Sequence, residues 1–129
     1  MKFHHIGVAV NSIEKAQSLY EKLGYKMSKK LNDPIQNVKL CFLNKINSPT
    51  IELVCPLDDN SPVVNILKKN SATPYHTCYE VDNIENEIKE LKKERFVQVS
   101  KIVPAVAFDN RLVCFLYNKN IGLIELLNK

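Results

Sequence analysis

The chain repeats itself at long range. His5 in HHIGVAV and Glu52 in TIELV recur as His76 in YHTCYEV and Glu125 in LIELL, 71 and 73 residues further on. Aligned on the histidines, Val10 meets Val81, Asn11 meets Asp82, Ile13 meets Ile84, Glu14 meets Glu85 and Tyr25 meets Phe96. Aligned on the glutamates, Cys41-Phe42-Leu43 meets Cys114-Phe115-Leu116, and Ile51-Glu52-Leu53 meets Ile124-Glu125-Leu126. A small pair of loop insertions accounts for the change of offset. A period this long means duplication of a whole supersecondary module, not the shorter repeat, roughly 20–50 residues, of a solenoid.

The module can be read from either copy. Residues 3–10 are short, rich in β-branched and aromatic types and without a helical stripe, which predicts a strand. Asn11 or Ser12 then caps a helix from Ile13 to Leu23, stopped by Gly24, with Ile13, Ala16, Leu19, Tyr20 and Leu23 on one face. Strands are expected at 25–31, 37–44 and 49–55. The second copy follows the same order, with a strand at 75–81, a helix at 84–94 whose stripe is Ile84, Ile88 and Leu91, and strands at 96–101, 111–117 and 121–127. Between them lies a linker with a short helix over 61–69, Pro62 in its first turn. The expected class is α+β: two tandem βαβββ modules, 1–55 and 73–129, joined by the linker 56–72 into one domain spanning 1–129. Their curved mixed sheet surrounds a cleft, with the helices outside.

Composition narrows the function. A chain of 129 residues that is 45% hydrophobic can bury a genuine core. No apolar run approaches the roughly 20 residues of a membrane helix, and the start lacks a signal-peptide pattern, so a soluble cytoplasmic protein without membrane partners is expected. The formal charge of +4 comes mostly from lysines on helical stretches. With Arg95 and Arg111 the only arginines, no nucleic-acid role is expected. Cys41, Cys55, Cys78 and Cys114 form no C-x-x-C pair and read as reduced, buried fillers.

Strand alternation puts His5, Gly7 and Ala9 on one face, and His76, Cys78 and Glu80 on another. Each residue alone has an ordinary explanation: a strand histidine is usually a hydrogen-bonded core or surface group, and the glutamate of I-E-L can point to water. Two mixed His and Glu pairs at equivalent places of a duplicated module argue instead for a metal site of His5, Glu52, His76 and Glu125. An isolated carboxylate on an inner sheet face needs a partner or a cation. Two imidazoles and two carboxylates suit one divalent ion, Ni, Co, Zn, Mn or Fe. Such an ion polarises a carbonyl, and a carboxylate able to leave it can act as base. His4, facing away from His5, is expected at the surface.

At these residues the chain resembles the vicinal oxygen chelate superfamily, which groups glyoxalase I, methylmalonyl-CoA epimerases, extradiol dioxygenases and drug-resistance binders. The resemblance runs over essentially the full length and rests on H-I-G-V-A-V, I-E-L, H-x-x-x-E-V-D and I-E-L-L. It implies paired βαβββ modules and places the family's ligands at His5, Glu52, His76 and Glu125. Pro56-Leu57 followed by Asn60-Ser61-Pro62 is similar to the epimerase linker. The glutamate that usually precedes the epimerases' Gln-Gly-Val is matched by Ile35, followed by Gln36-Asn37-Val38. The glutathione-binding arginine of glyoxalase I is matched by Ala9.

The resemblance implies a metal-dependent isomerase or lyase that transfers a proton next to a carbonyl, epimerase-like or like lactoylglutathione lyase. Glu125 is the leading candidate for the catalytic base, and Glu52 is the other. A protein that merely binds a small molecule or drug is the competing class. The substrate is expected to be small, a thioester or 2-oxo compound, and the protein a homodimer. Gln36, Cys78 and Arg111 are candidate substrate-binding residues, with VPAVAFDNR expected as a loop covering the substrate.

Overall fold

Each module's helix begins at a side-chain cap. In the computed structural model, which describes all 129 residues, Ser12 is extended and its hydroxyl accepts from the Lys15 N–H at 3.2 Å, opening helix α1, Ile13–Lys22. Asn83 does the same for the Asn86 N–H at 2.9 Å, opening helix α3, Ile84–Lys93. The first helix runs out at Gly24, whose φ of +94° suits a residue without Cβ. Arg95 holds the matching place in the second copy at φ +64°. Helix α2, Val63–Asn70, lies between the copies in sequence, starting two residues later and ending one residue later than expected.

Ten strands accompany these helices: β1 Lys2–Ala9, β2 Lys26–Met27, β3 Leu31–Asp33, β4 Val38–Asn44, β5 Ile51–Pro56, β6 Thr73–Val81, β7 Val97–Gln98, β8 Val103–Ala105, β9 Arg111–Asn118 and β10 Gly122–Asn128. The chain divides into two compact units, one of His5–Tyr75 and one of His76–Lys129 together with Met1–His4. In the first unit the strands run β2-β4-β5-β1, with β3 also on β4. Only the β1–β5 pair is parallel. In the second they run β7-β9-β10-β6, with β8 also on β9, and only β6–β10 is parallel. The α+β class and mixed pairing expected from the repeat are therefore present.

The strands expected at 25–31 and 96–101 are reduced to two residues each, β2 and β7, and after a break a separate short strand follows, β3 in one copy and β8 in the other. The break has the same cause both times. The Phe42 N–H donates to the Ser28 hydroxyl at 2.8 Å, and the Phe115 N–H donates to the Ser100 hydroxyl at 2.8 Å. A side chain replaces a backbone partner there, so the ladder stops and restarts. The segment 103–111, expected as a loop, contains β8 and a short 3-10 turn, Val106–Phe108, closed by the Asn110 N–H on the Ala105 carbonyl at 3.0 Å.

One face of each sheet is covered by its own helix. Ile13 packs with Val8, Val10, Cys41, Leu43 and Leu53 in the first unit. Ile84 and Ile88 pack with Cys114, Leu116, Ile124 and Leu126 in the second. The cysteines are free thiols. Burial pushes Cys41 up to about 11 and raises Cys55 and Cys114, so these groups stay protonated and act as packing atoms.

Because Ser100 satisfies a part-buried N–H, the Ser100→Ala variant is expected to lose about 1–2 kcal/mol of stability, read from the urea midpoint. An unchanged midpoint would mean that water serves the Phe115 N–H equally well.

Candidate metal centre

Side chains of the opposite parity occupy the sheet face away from each helix. Ile51 and Leu53 pack towards the α1 side. Glu52, between them, is turned away yet only 6% exposed, so the ordinary alternative of a glutamate pointing to water does not hold here. Strand β5 lies parallel to β1 with Glu52 opposite Gly7, two residues past His5. In that register the His5 Nε2 donates to Glu52 Oε2 at 3.0 Å, with His5 fully buried.

The second unit repeats the arrangement. Glu125 on β10 lies opposite Cys78 on β6, two residues past His76. His76 Nε2 is 3.3 Å from Glu125 Oε2, and both residues are buried.

A phenylalanine completes each pair. Phe42 lies opposite Glu52 across β4–β5, and Phe115 lies opposite Glu125 across β9–β10. Their rings meet the histidines edge to face, Phe42 on His5 at 5.7 Å and 74°, Phe115 on His76 at 5.2 Å and 89°. An edge contact of this kind fixes the imidazole plane, so Nε2 stays aimed at its carboxylate. Both phenylalanines sit inside the repeated Cys-Phe-Leu. That signal was in the sequence, but nothing in the repeat alone distinguished them from core residues.

The donor set fits a divalent cation. Each unit presents an imidazole nitrogen and a carboxylate oxygen close together and away from water, the donor types a divalent cation takes.

Of the other candidate residues, Cys78 lies beside the second pair, opposite Glu125, while Gln36 and Arg111 lie further off. Cys78 is fully buried on the His76 face. Gln36 is half-buried in the turn after β3; its side-chain amide donates to Asp33 Oδ2 at 2.8 Å and its backbone N–H to Oδ1 at 3.0 Å. Asp33, 1% exposed, was not anticipated and holds this turn. Ile35, in the same turn, is 59% exposed and belongs to no strand. Arg111 is half-buried at the start of β9, where Nη2 pairs with Glu80 and Nε donates to the Asn128 carbonyl at 2.7 Å. His4, expected at the surface, is half-buried and meets Phe108 edge to face at 5.3 Å.

Residues 4–115 match the model of the glyoxalase/bleomycin resistance protein/dioxygenase superfamily. The chain is 34% identical to human mitochondrial methylmalonyl-CoA epimerase over 97% of its own length and 72% of that protein's. It is 30% identical to the ethylmalonyl-CoA/methylmalonyl-CoA epimerase of Cereibacter sphaeroides, over 97% and 96% of the two chains. Among solved structures, methylmalonyl-CoA epimerase from Mycobacterium tuberculosis superposes with a TM-score of 0.85 at 23% identity, covering 98% of this chain and 87% of that one. This last likeness concerns the fold. No helix is long and apolar enough to cross a membrane.

The hydrogen bond from Arg111 holds the Glu80 carboxyl below its ordinary value of 4.5. A lowered carboxylate contributes stability above pH 4.5 and loses it as pH falls through the folded-state value. The stability difference between the parent and Glu80→Gln is therefore expected to be largest at neutral pH and to shrink in acid below 4.5. A difference independent of pH between 7 and 3, by thermal melts at roughly half-unit steps, would remove the ion pair as its source.

Proposed function

We propose, for a chain that belongs to the glyoxalase/bleomycin resistance protein/dioxygenase superfamily, a metal-dependent epimerisation of a small acyl-coenzyme A thioester of the methylmalonyl-CoA kind. The observation that carries this reading is the twofold occurrence of a buried His–Glu pair in one strand register. Buried ion pairs add little to stability against apolar residues of the same size. Keeping two of them suggests a role in chemistry. The epimerase relatives suggest which chemistry.

In this reading His5, Glu52, His76 and Glu125 hold one divalent ion. Bound there, the ion supplies positive charge against which a thioester oxygen can gather negative charge. His5 and His76 offer Nε2 as neutral imidazoles, held in plane by Phe42 and Phe115. Glu125 takes the proton from the carbon next to the thioester carbonyl; inversion needs a proton returned to the opposite face of that carbon, and Glu52 is the second carboxylate available to deliver it. Burial of all four side chains strengthens every charge interaction among them.

The glyoxalase I form of this chemistry has less support. At the position matching its glutathione-binding arginine, Ala9 is fully buried and paired opposite Val54, so no cation stands there.

Metal-loaded protein in deuterated water should incorporate deuterium at the α-carbon of methylmalonyl-CoA, while the methylglyoxal–glutathione hemithioacetal should remain unconverted. Glu125→Gln is expected to slow exchange by about 100-fold or more. Tight retention of methylmalonyl-CoA without exchange would replace the enzyme by a binding protein. Separately, His76→Ala should lose bound metal on elemental analysis, and a variant that keeps the parent's metal content would sink the four-residue site.

A further inference from the structure

Exposure rises in one direction across the site face of the second unit. Val97 lies opposite Tyr117, and the Val99 N–H donates to the Phe115 carbonyl at 2.9 Å. Val99 therefore extends the cross-strand row of Cys78, Glu125 and Phe115, and Val97 extends the row of His76, Leu123 and Tyr117. Opposed residues of paired strands share a face, so both rows lie on the side of the His76–Glu125 pair. Along the first row Cys78 is 0% exposed, Glu125 3% and Val99 54%. Along the second His76 is 4% exposed, Tyr117 44% and Val97 60%. The way out from the pair thus crosses β9 to β7, two strand spacings or roughly 10 Å, over apolar side chains.

The module does not need those side chains to fold. At the places of Val97, Val99 and Tyr117 the first copy carries Lys26, Ser28 and Asn44, with Lys26 and Asn44 in the same strand pairing. Contiguous exposed apolar groups that the fold does not require mark a contact surface.

At the β7 edge this floor meets an open groove of about 630 Å³, lined by Val97, Val99, Phe96, Gln98, Lys92 and Lys101 and by no carboxylate. Its size is that of a small-molecule site. Lys92 Nζ donates to the neutral Gln98 Oε1 at 2.9 Å, and Lys101 has no ion-pair partner. The first copy cancels both charges. Glu21 stands at the place of Lys92, and Lys30, at the place of Lys101, pairs with Glu14 at 2.8 Å. Two uncompensated ammonium groups in one groove suit an anion, which lysine meets as a point charge.

A ligand that fits this surface has its reacting carbon at Glu125, an apolar arm over β9 and β7, and negative charge at the far end. Resting on the thioester reading above, we propose that this side of the second unit is the coenzyme A subsite. The pantetheine arm lies on Tyr117, Val97 and Val99, and Lys92 and Lys101 meet the phosphates at the β7 edge.

The test is calorimetric titration of free coenzyme A into the intact protein, with no turnover involved. The double variant Lys92→Gln, Lys101→Gln is expected to weaken binding by about tenfold or more. The double variant Val97→Ser, Val99→Ser is expected to weaken it by about fivefold or more. Lys30→Gln, at the place matching Lys101, should bind as the parent does. All four groove positions are exposed, so both double variants should keep the parent's melting temperature. Coenzyme A affinity unchanged in either double variant, an equal loss in Lys30→Gln, or no coenzyme A binding by the parent overturns the proposal. Deuterium exchange into methylmalonyl-CoA with an affinity independent of these four residues would refute the subsite and leave the epimerase reading intact. An affinity that depends on them, without exchange, would do the reverse.

Discussion

Everything at the candidate site depends on one strand register, made twice. A parallel pair sets a glutamate opposite the residue two past a histidine, and an antiparallel neighbour sets a phenylalanine opposite that glutamate. A one-residue slip in either pair would turn the glutamate into the helix-covered core, where a carboxylate has no partner. The apolar residues that alternate with the site residues therefore do two jobs. Leu53 and Leu126, buried against α1 and α3, are what keep Glu52 and Glu125 facing the other way.

The two units reach this register by the same local devices. Serine hydroxyls take the N–H of Phe42 and Phe115, so the strand bearing each phenylalanine is pinned at the residue that contacts the histidine. Where the copies differ, the difference lies away from these devices. Gly24 and Arg95 both take a left-handed helix exit, and the arginine bears a steric cost the glycine avoids. Ala9 and Val38 of one copy correspond in the repeat to Glu80 and Arg111 of the other. The His and Glu positions are copied closely, while the row beyond them is apolar in one copy and charged in the other.

Much of this was legible in the chain itself. Periodicity and caps located the helices, because Ser12, Asn83 and Gly24 act through local backbone chemistry. The repeat singled out His5, Glu52, His76 and Glu125, because matched spacing carries information that no single residue does. The breaks after β2 and β7 were not legible: a serine inside a strand-like run gives no sign that its hydroxyl will replace a ladder bond. Arg111 was visible as a lone arginine before a strand, but its partners Glu80 and Asn128 are 31 and 17 residues away.

By itself, then, the sequence determined the α+β class, the duplication, the helix ends and which His and Glu residues recur at matched places, since these follow from short-range periodicity and from a spacing that recurs. Tertiary structure alone decided that each histidine meets its own module's glutamate, that a phenylalanine holds each ring, and that Arg111 is anchored by Glu80 and Asn128. Those facts depend on which strands pair and in what register. Cross-strand pairing joins residues about ten to fifty positions apart, and their separation along the chain does not specify which will meet.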